Sequence, residues 1–169
     1  NSLGANKALV IDTTAPTLSS AALNSSGTAI TLTYNEALSA TTAPTSAFTV
    51  LDAGSAVAVS SATASGSALT LALGSTINIG RVVTVSYSDP TAGDDANAIQ
   101  DLVGNDAASL TSQSVTNNST VKATQTNITI TSSTSVSFGS DLSLTSTGGS
   151  TGGTFTYTVI SGSCTIEGS

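Results

Sequence analysis

Thr28–Asn35 reads TAITLTYN, Ser67–Leu73 reads SALTLAL and Gly80–Ser88 reads GRVVTVSYS. In each, apolar side chains recur at every second position: Ile30, Leu32 and Tyr34, then Leu69, Leu71 and Leu73, then Val83, Val85 and Tyr87. Successive side chains of a strand point to opposite faces, so this period predicts half-buried β-strands with one dry face and one wet face. Thr suits the wet face, because it is β-branched, fits a pleated surface and offers water a hydroxyl. Turn-forming clusters punctuate the chain at Asn24–Gly27, Asp52–Gly54, Ser65-Gly66, Ala72–Ser75 and Asp89-Pro90. Short strands separated by closely spaced turns predict a β-sandwich. Helical patterning is nearly absent; only Asp95–Leu102 and Glu36–Ala43 could hold a short turn.

Composition removes most chemistries. Ser and Thr supply 60 of the 169 residues, charged residues 8%, and the net charge is −7. Mean hydropathy is +0.26, which with the strand periodicity argues against a disordered linker. There is no His and one Cys, so neither a Ser-His-Asp or Cys-His arrangement nor a zinc site can be assembled within the chain. Lys7, Arg81 and Lys122 are the whole basic complement, too few to neutralise a phosphate backbone, and nucleic acid is excluded as a partner. No apolar run approaches the ~20 residues that span a bilayer, so membrane insertion is not expected. With neither an initiator Met nor a leader pattern, the chain is expected to be a piece of a longer one.

Three parts are expected. Residues 1–11 read as the tail of a preceding unit or a linker, with Lys7–Ile11 able to act as a strand. Residues 12–121 hold about seven strand-like segments, enough for one Ig-like antiparallel β-sandwich. A boundary falls near Asn117–Thr120, and residues 122–169 read as an incomplete second Ig-like β unit. Its expected strands carry Ile128/Ile130, Val136/Phe138, Leu142/Leu144 and Phe155/Tyr157/Val159, with a loop at Gly148–Gly153. The fold class is therefore all-β. Cys164 is either a small buried strand residue or half of a disulfide with a Cys beyond the chain end.

Four pieces, taken in order, resemble a known module. Ile11-Asp-Thr-Thr-Ala-Pro-Thr17 resembles the junction of tandem bacterial Ig-like repeats. Leu32-Thr-Tyr34-Asn-Glu36-Ala-Leu38 resembles a second-strand signature, and Thr84-Val-Ser-Tyr87-Ser-Asp89-Pro90 a late-strand one. Ile99-Gln-Asp101-Leu-Val-Gly104-Asn105-Asp106 resembles the D-x-x-G-N element before the last strand. Together they resemble the SWM-type bacterial Ig-like repeat over about residues 10–118. The later sequence, with Cys164-Thr-Ile-Glu-Gly, is similar to the start of a different bacterial Ig-like repeat, in which a second Cys often follows. These resemblances imply secretion to the bacterial cell surface, a tandem array, a stalk, filament or cell-adhesion role, and no catalytic activity.

One site invites weighing. Asp89, Asp94, Asp95, Asp101 and Asp106 crowd into one stretch with few cations to pair them. Such carboxylates raise one another's pKa unless a cation neutralises them. Calcium takes six to eight oxygens from carboxylates, carbonyls and amides. Asp94, Asp95, Asn97, Asp101 and Asn105 offer them from one loop, with Asp12 at the junction and Glu36 at a strand end able to complete a Ca²⁺ site. The alternative is a set of ordinary turn formers whose acids are solvated, and for Glu36 a carboxylate bonded to backbone. No EF-hand spacing is present.

The expected partners are neighbouring repeats of the same polypeptide or identical subunits, with strand donation as one way of joining them. Surface glycans would be the partner of a carbohydrate-binding module. Against that, the six aromatics (Tyr34, Phe48, Tyr87, Phe138, Phe155 and Tyr157) mostly fall on apolar strand faces and read as core. A glycosidase built on Glu36 and Asp101 would need a cleft that nothing in the pattern builds.

Overall fold

The computed structural model describes residues 11–132, 135–149 and 158. The chain divides into two compact units, Asn1–Lys122 and Ala123–Ser169. The first contains β1 (Leu18–Leu23), β2 (Ala29–Tyr34), β3 (Phe48–Asp52), β4 (Ser55–Val57), β5 (Val59–Ser65), β6 (Ala68–Leu73), β7 (Val83–Tyr87) and β8 (Leu110–Asn117).

Hydrogen bonding runs in the order β4-β3-β7-β8-β1-β2-β6-β5. The β8–β1 link is parallel and only two residue pairs long, Ala22 with Thr116 and Leu23 with Asn117. Every other neighbouring pair is antiparallel. That short seam is the fold line between two layers, β1-β2-β6-β5 and β4-β3-β7-β8, whose apolar faces share one core. The arrangement is the expected Ig-like sandwich, with one parallel link added.

The alternation seen in the sequence is the alternation of burial. Along β2 the side chains of Ile30, Leu32 and Tyr34 are buried and their neighbours half-buried; β7 repeats this with Val83, Val85 and Tyr87. Leu69 and Leu71 are buried on β6, while Leu73 at its end is partly covered. Phe48 on β3 stacks on Tyr87 with ring centroids 5.4 Å apart. Each buried Leu, Ile or Val contributes roughly 1.5–3 kcal/mol. Gly27 closes the β1–β2 turn at φ +69°, where an added Cβ would collide with the Ile77 carbonyl oxygen.

The strand directions give the sandwich two poles. Leu18 pairs with Tyr34 and Phe48 with Tyr87, so segments 11–17, 35–47 and 88–109 gather at an upstream pole. Leu23 pairs with Ile30 and Val83 with Asp52, so residues 24–28, 53–54, 74–82 and 118–122 form the downstream pole.

Helical structure is as scarce as the sequence implies. Among the described residues the only helical segment is the 3-10 turn Thr45–Ala47. Asp95–Leu102 has a single turn, Ala98 N–H to the Asp95 carbonyl at 3.3 Å, and Glu36–Ala43 has none. Both stretches are extended where they meet, through the bridge of Leu38 with Asp101. Aspartate side chains there compete for the N–H groups that a helix would use.

In the second unit the described strands are β9 (Thr129–Ile130) and β10 (Ser146–Thr147), paired antiparallel. Val136, Phe138, Leu142 and Leu144 lie in no strand and are exposed, with Phe138 fully so. Alternation makes a strand only where a neighbour supplies pairing and a second layer supplies burial, and among the described residues neither reaches these side chains. Phe138 is thus not core. The series Phe155/Tyr157/Val159, residues 150–153, Cys164 and all of Lys7–Ile11 but its last residue lie outside the described residues.

Leu71→Ala should lower unfolding free energy by about 2–5 kcal/mol, whereas Phe138→Ala should change it by less than about 0.5 kcal/mol. Urea denaturation of the full chain, followed by the first unit's far-ultraviolet signal, measures both; equal effects would refute the packing described.

Candidate functional site

The upstream pole is organised by one buried carboxylate. Asp101 is 3% exposed and sits where β-bridging ends and the chain must turn. Its Oδ1 accepts the backbone N–H groups of Val103 at 2.8 Å, Gly104 at 2.7 Å and Asn105 at 2.9 Å. Its Oδ2 accepts the Asn105 side-chain amide at 2.7 Å. Burial acts to raise the Asp101 pKa, but the Asn105, Val103 and Gly104 donors outweigh it and hold the carboxyl below its ordinary range.

That loop also holds the incoming chain. Asn105 Nδ2 donates to the carbonyls of Asp12 at 3.3 Å and Thr14 at 3.4 Å. Pro16 is fully buried. Thr17 N–H donates to Asn35 Oδ1 at 2.7 Å, and Asn35 N–H returns a bond to the Thr17 carbonyl at 3.0 Å. Asp12 closes its own turn through the Thr14 N–H at 3.0 Å.

Asp12, Glu36 and Asp101 converge, each with a carboxylate oxygen within 4.8 Å of the others. Asp12 is exposed and Glu36 half-buried. Partial burial, then the like charges of Asp12 and Asp101, push the Glu36 carboxyl above its ordinary pKa. Three hard oxygen donors of this kind suit a divalent cation such as Ca²⁺.

The structure separates the remaining candidates from this cluster. Asp89 Oδ1 accepts the Thr91 N–H at 3.3 Å. Asp94 Oδ1 accepts the Asp106 N–H at 3.4 Å, and Asp106 Oδ2 accepts the Asp95 N–H at 3.2 Å. Asp95 accepts the Thr91 hydroxyl and the Asn97 N–H, which together hold its pKa down. These acids brace their own loop. Asn105 joins the cluster by donating to Asp101.

The downstream pole, which sequence reasoning missed, is pinned as firmly. Asn117 Nδ2 donates to the carbonyls of Asn78 and Arg81, each at 2.9 Å. Thr120 N–H reaches the Ser25 carbonyl at 2.9 Å, and Ile79 N–H the Val121 carbonyl at 2.8 Å. Asn35 and Asn117 stand at strand ends, where Asn commonly completes a turn, and that placement was the available signal.

A two-layer module whose chain is fixed at both poles is the class that fold and site define. Residues 11–92 match the SWM_repeat family model, described as "Putative flagellar system-associated repeat", the family that the junction and strand signatures resemble. The match includes Asp12 and Glu36 and ends before Asp101. No curated protein matches the chain. Among solved structures, the N-terminal part of the bacterial S-layer protein SbsC is similar at 21% identity and a TM-score of 0.49, covering 68% of this chain and 26% of that one. The S-layer protein rSbsC(31-844) is similar at the same identity and TM-score, covering 69% and 15%. The chain thus spans about a quarter or less of those proteins.

Asp101→Ala should cost about 1–3 kcal/mol, because it strands three N–H groups. With its folded pKa depressed, the stability Asp101 contributes is complete above about pH 4 and is lost as pH falls through the lower folded value. Glu36 has the opposite sign: its contribution is complete below about pH 4.3 and is lost as pH rises through its raised folded pKa. Glu36→Gln should therefore raise Tm at neutral pH and lose that gain in acid. A Tm–pH series on both variants checks the two signs.

Proposed function

We propose that the first unit is a non-catalytic spacer in a tandem array of a bacterial surface protein, an adhesin, stalk or filament. The observation that carries this reading is the fixing of the incoming and outgoing chain at opposite poles. Thr17 with Asn35, Pro16 in the core, and Asn105 on Asp12 and Thr14 hold one end. Asn117, Thr120 and Val121 hold the other. A module gripped in this way passes orientation and tension from one linker to the next through its strands, and stacked modules behave as a one-dimensional array. The SWM-type match over residues 11–92 supports the repeat reading. The partners are then neighbouring repeats, and the location is the cell exterior.

Ca²⁺ is the finer part of the proposal. Bound by Asp12, Glu36 and Asp101, it would join linker to sandwich and remove the repulsion that raises Glu36. A glycan-binding reading has one supporting observation, the exposed Phe138 ring in the second unit; a single ring is a weak platform.

Two measurements test these points separately. In the full chain, Asn35→Ala should speed hydrogen exchange at the Thr17 amide at least tenfold and leave the β2 and β7 amides protected. Unchanged exchange would remove the clamp. A Ca²⁺ concentration near 100-fold its Kd should add about 2.7 kcal/mol relative to chelator, several degrees in Tm. Asp12→Asn combined with Glu36→Gln should abolish that shift; no shift in the parent chain would mark a metal-free spacer.

A further inference from the structure

The charge of the first unit is sorted by pole. Seven of its eight carboxylates, all but Asp52, lie in the segments of the upstream pole. Both of its described cations, Arg81 and Lys122, lie at the downstream pole. Asp52 pairs with Arg81 there at 2.7 Å and leaves the guanidinium side chain 46% exposed.

Each pole also presents apolar side chains to solvent. Leu102 is 73% exposed and Val103 65%, at the tip of the loop that Asp101 shapes. At the other pole Val82 is 72% exposed and Ile79 54%. Leu102 and Val103 are held outward because their loop's N–H groups are bonded to Asp101, and Ile79 because its N–H is bonded to Val121. Turning Leu102, Val103 or Ile79 into the core would break these bonds.

We infer that the upstream pole docks the downstream pole of a second copy of this unit, head to tail. The proposal rests on the tandem-repeat reading and adds its contact surface. Charge complementarity selects the pairing. Two upstream poles would set carboxylates against carboxylates; at the downstream pole Arg81 is paired with Asp52, so Lys122 carries the net positive charge and two such poles would set Lys122 against Lys122. Only the mixed contact brings acidic and basic rims together around Leu102 and Val103 on one side and Ile79 and Val82 on the other. Such a heterologous contact does not close on itself and propagates as an open row.

The test uses the full chain with Cys164→Ser, in chelator so that no divalent cation masks the acidic pole. Val82→Cys and Leu102→Cys variants, mixed under mild oxidation, should form an intermolecular disulfide at least tenfold faster than either variant alone. They should also outpace either one mixed with Thr70→Cys, on the exposed face of β6. Raised salt should slow the mixed reaction, as should Arg81→Gln with Lys122→Gln. Equal rates for like and mixed pairs, or no advantage over the Thr70→Cys control, would overturn head-to-tail docking. The spacer reading would survive that outcome, because its own test reads linker protection within a single chain.

Discussion

Everything in the first unit hangs on one dry seam a single side-chain layer thick on each side. Ile30, Leu32, Leu69 and Leu71 meet Val50, Val83, Val85 and Tyr87, and these residues are at or near zero exposure. A period of two leaves no slack here: a one-residue slip in any strand would turn its apolar side chains outward and its threonines in. The registers of β2 with β6 and of β3 with β7 are accordingly unbroken. The layers touch directly through hydrogen bonds only where β1 and β8 run parallel for two residue pairs.

A sandwich of this kind satisfies backbone groups along its strands but not where the strands end. Both poles meet that need with short polar side chains. Asp101 serves three N–H groups at the upstream pole, and Asn117 serves two carbonyls at the downstream one. Because Asn35 and Asn105 apply the same device to residues 12–17, the linker becomes part of the fold. The functional reading depends on this, since a spacer with loose ends would transmit neither direction nor force.

The sorting of charge follows from the same need. Aspartate is the residue that closes turns, and the long connection between β7 and β8 is rich in turns, so acids accumulate at the pole it occupies. Most of these carboxylates are held by loop N–H groups or hydroxyls. Glu36 is different, pressed against Asp12 and Asp101 with its pKa pushed up. A cation, or a basic face of another module, would relieve that site.

Much of the first unit was legible from residues alone. The alternation at Ile30-Leu32-Tyr34 and Val83-Val85-Tyr87 already set strand identity and the buried face, because side-chain direction along a strand is a local property. The same pattern at Val136/Phe138 misled, since pairing and burial come from elsewhere in the chain. Of the candidate site, the residue types were visible, but not their grouping. Asp101 stands close in sequence to Asp94 and Asp95, yet it meets Asp12 and Glu36 because β1, β2 and the connection before β8 end at one pole. Sequence proximity could not separate acids that brace a turn from acids that face one another. Strand direction and register decided that, and they exist only once the two layers have closed.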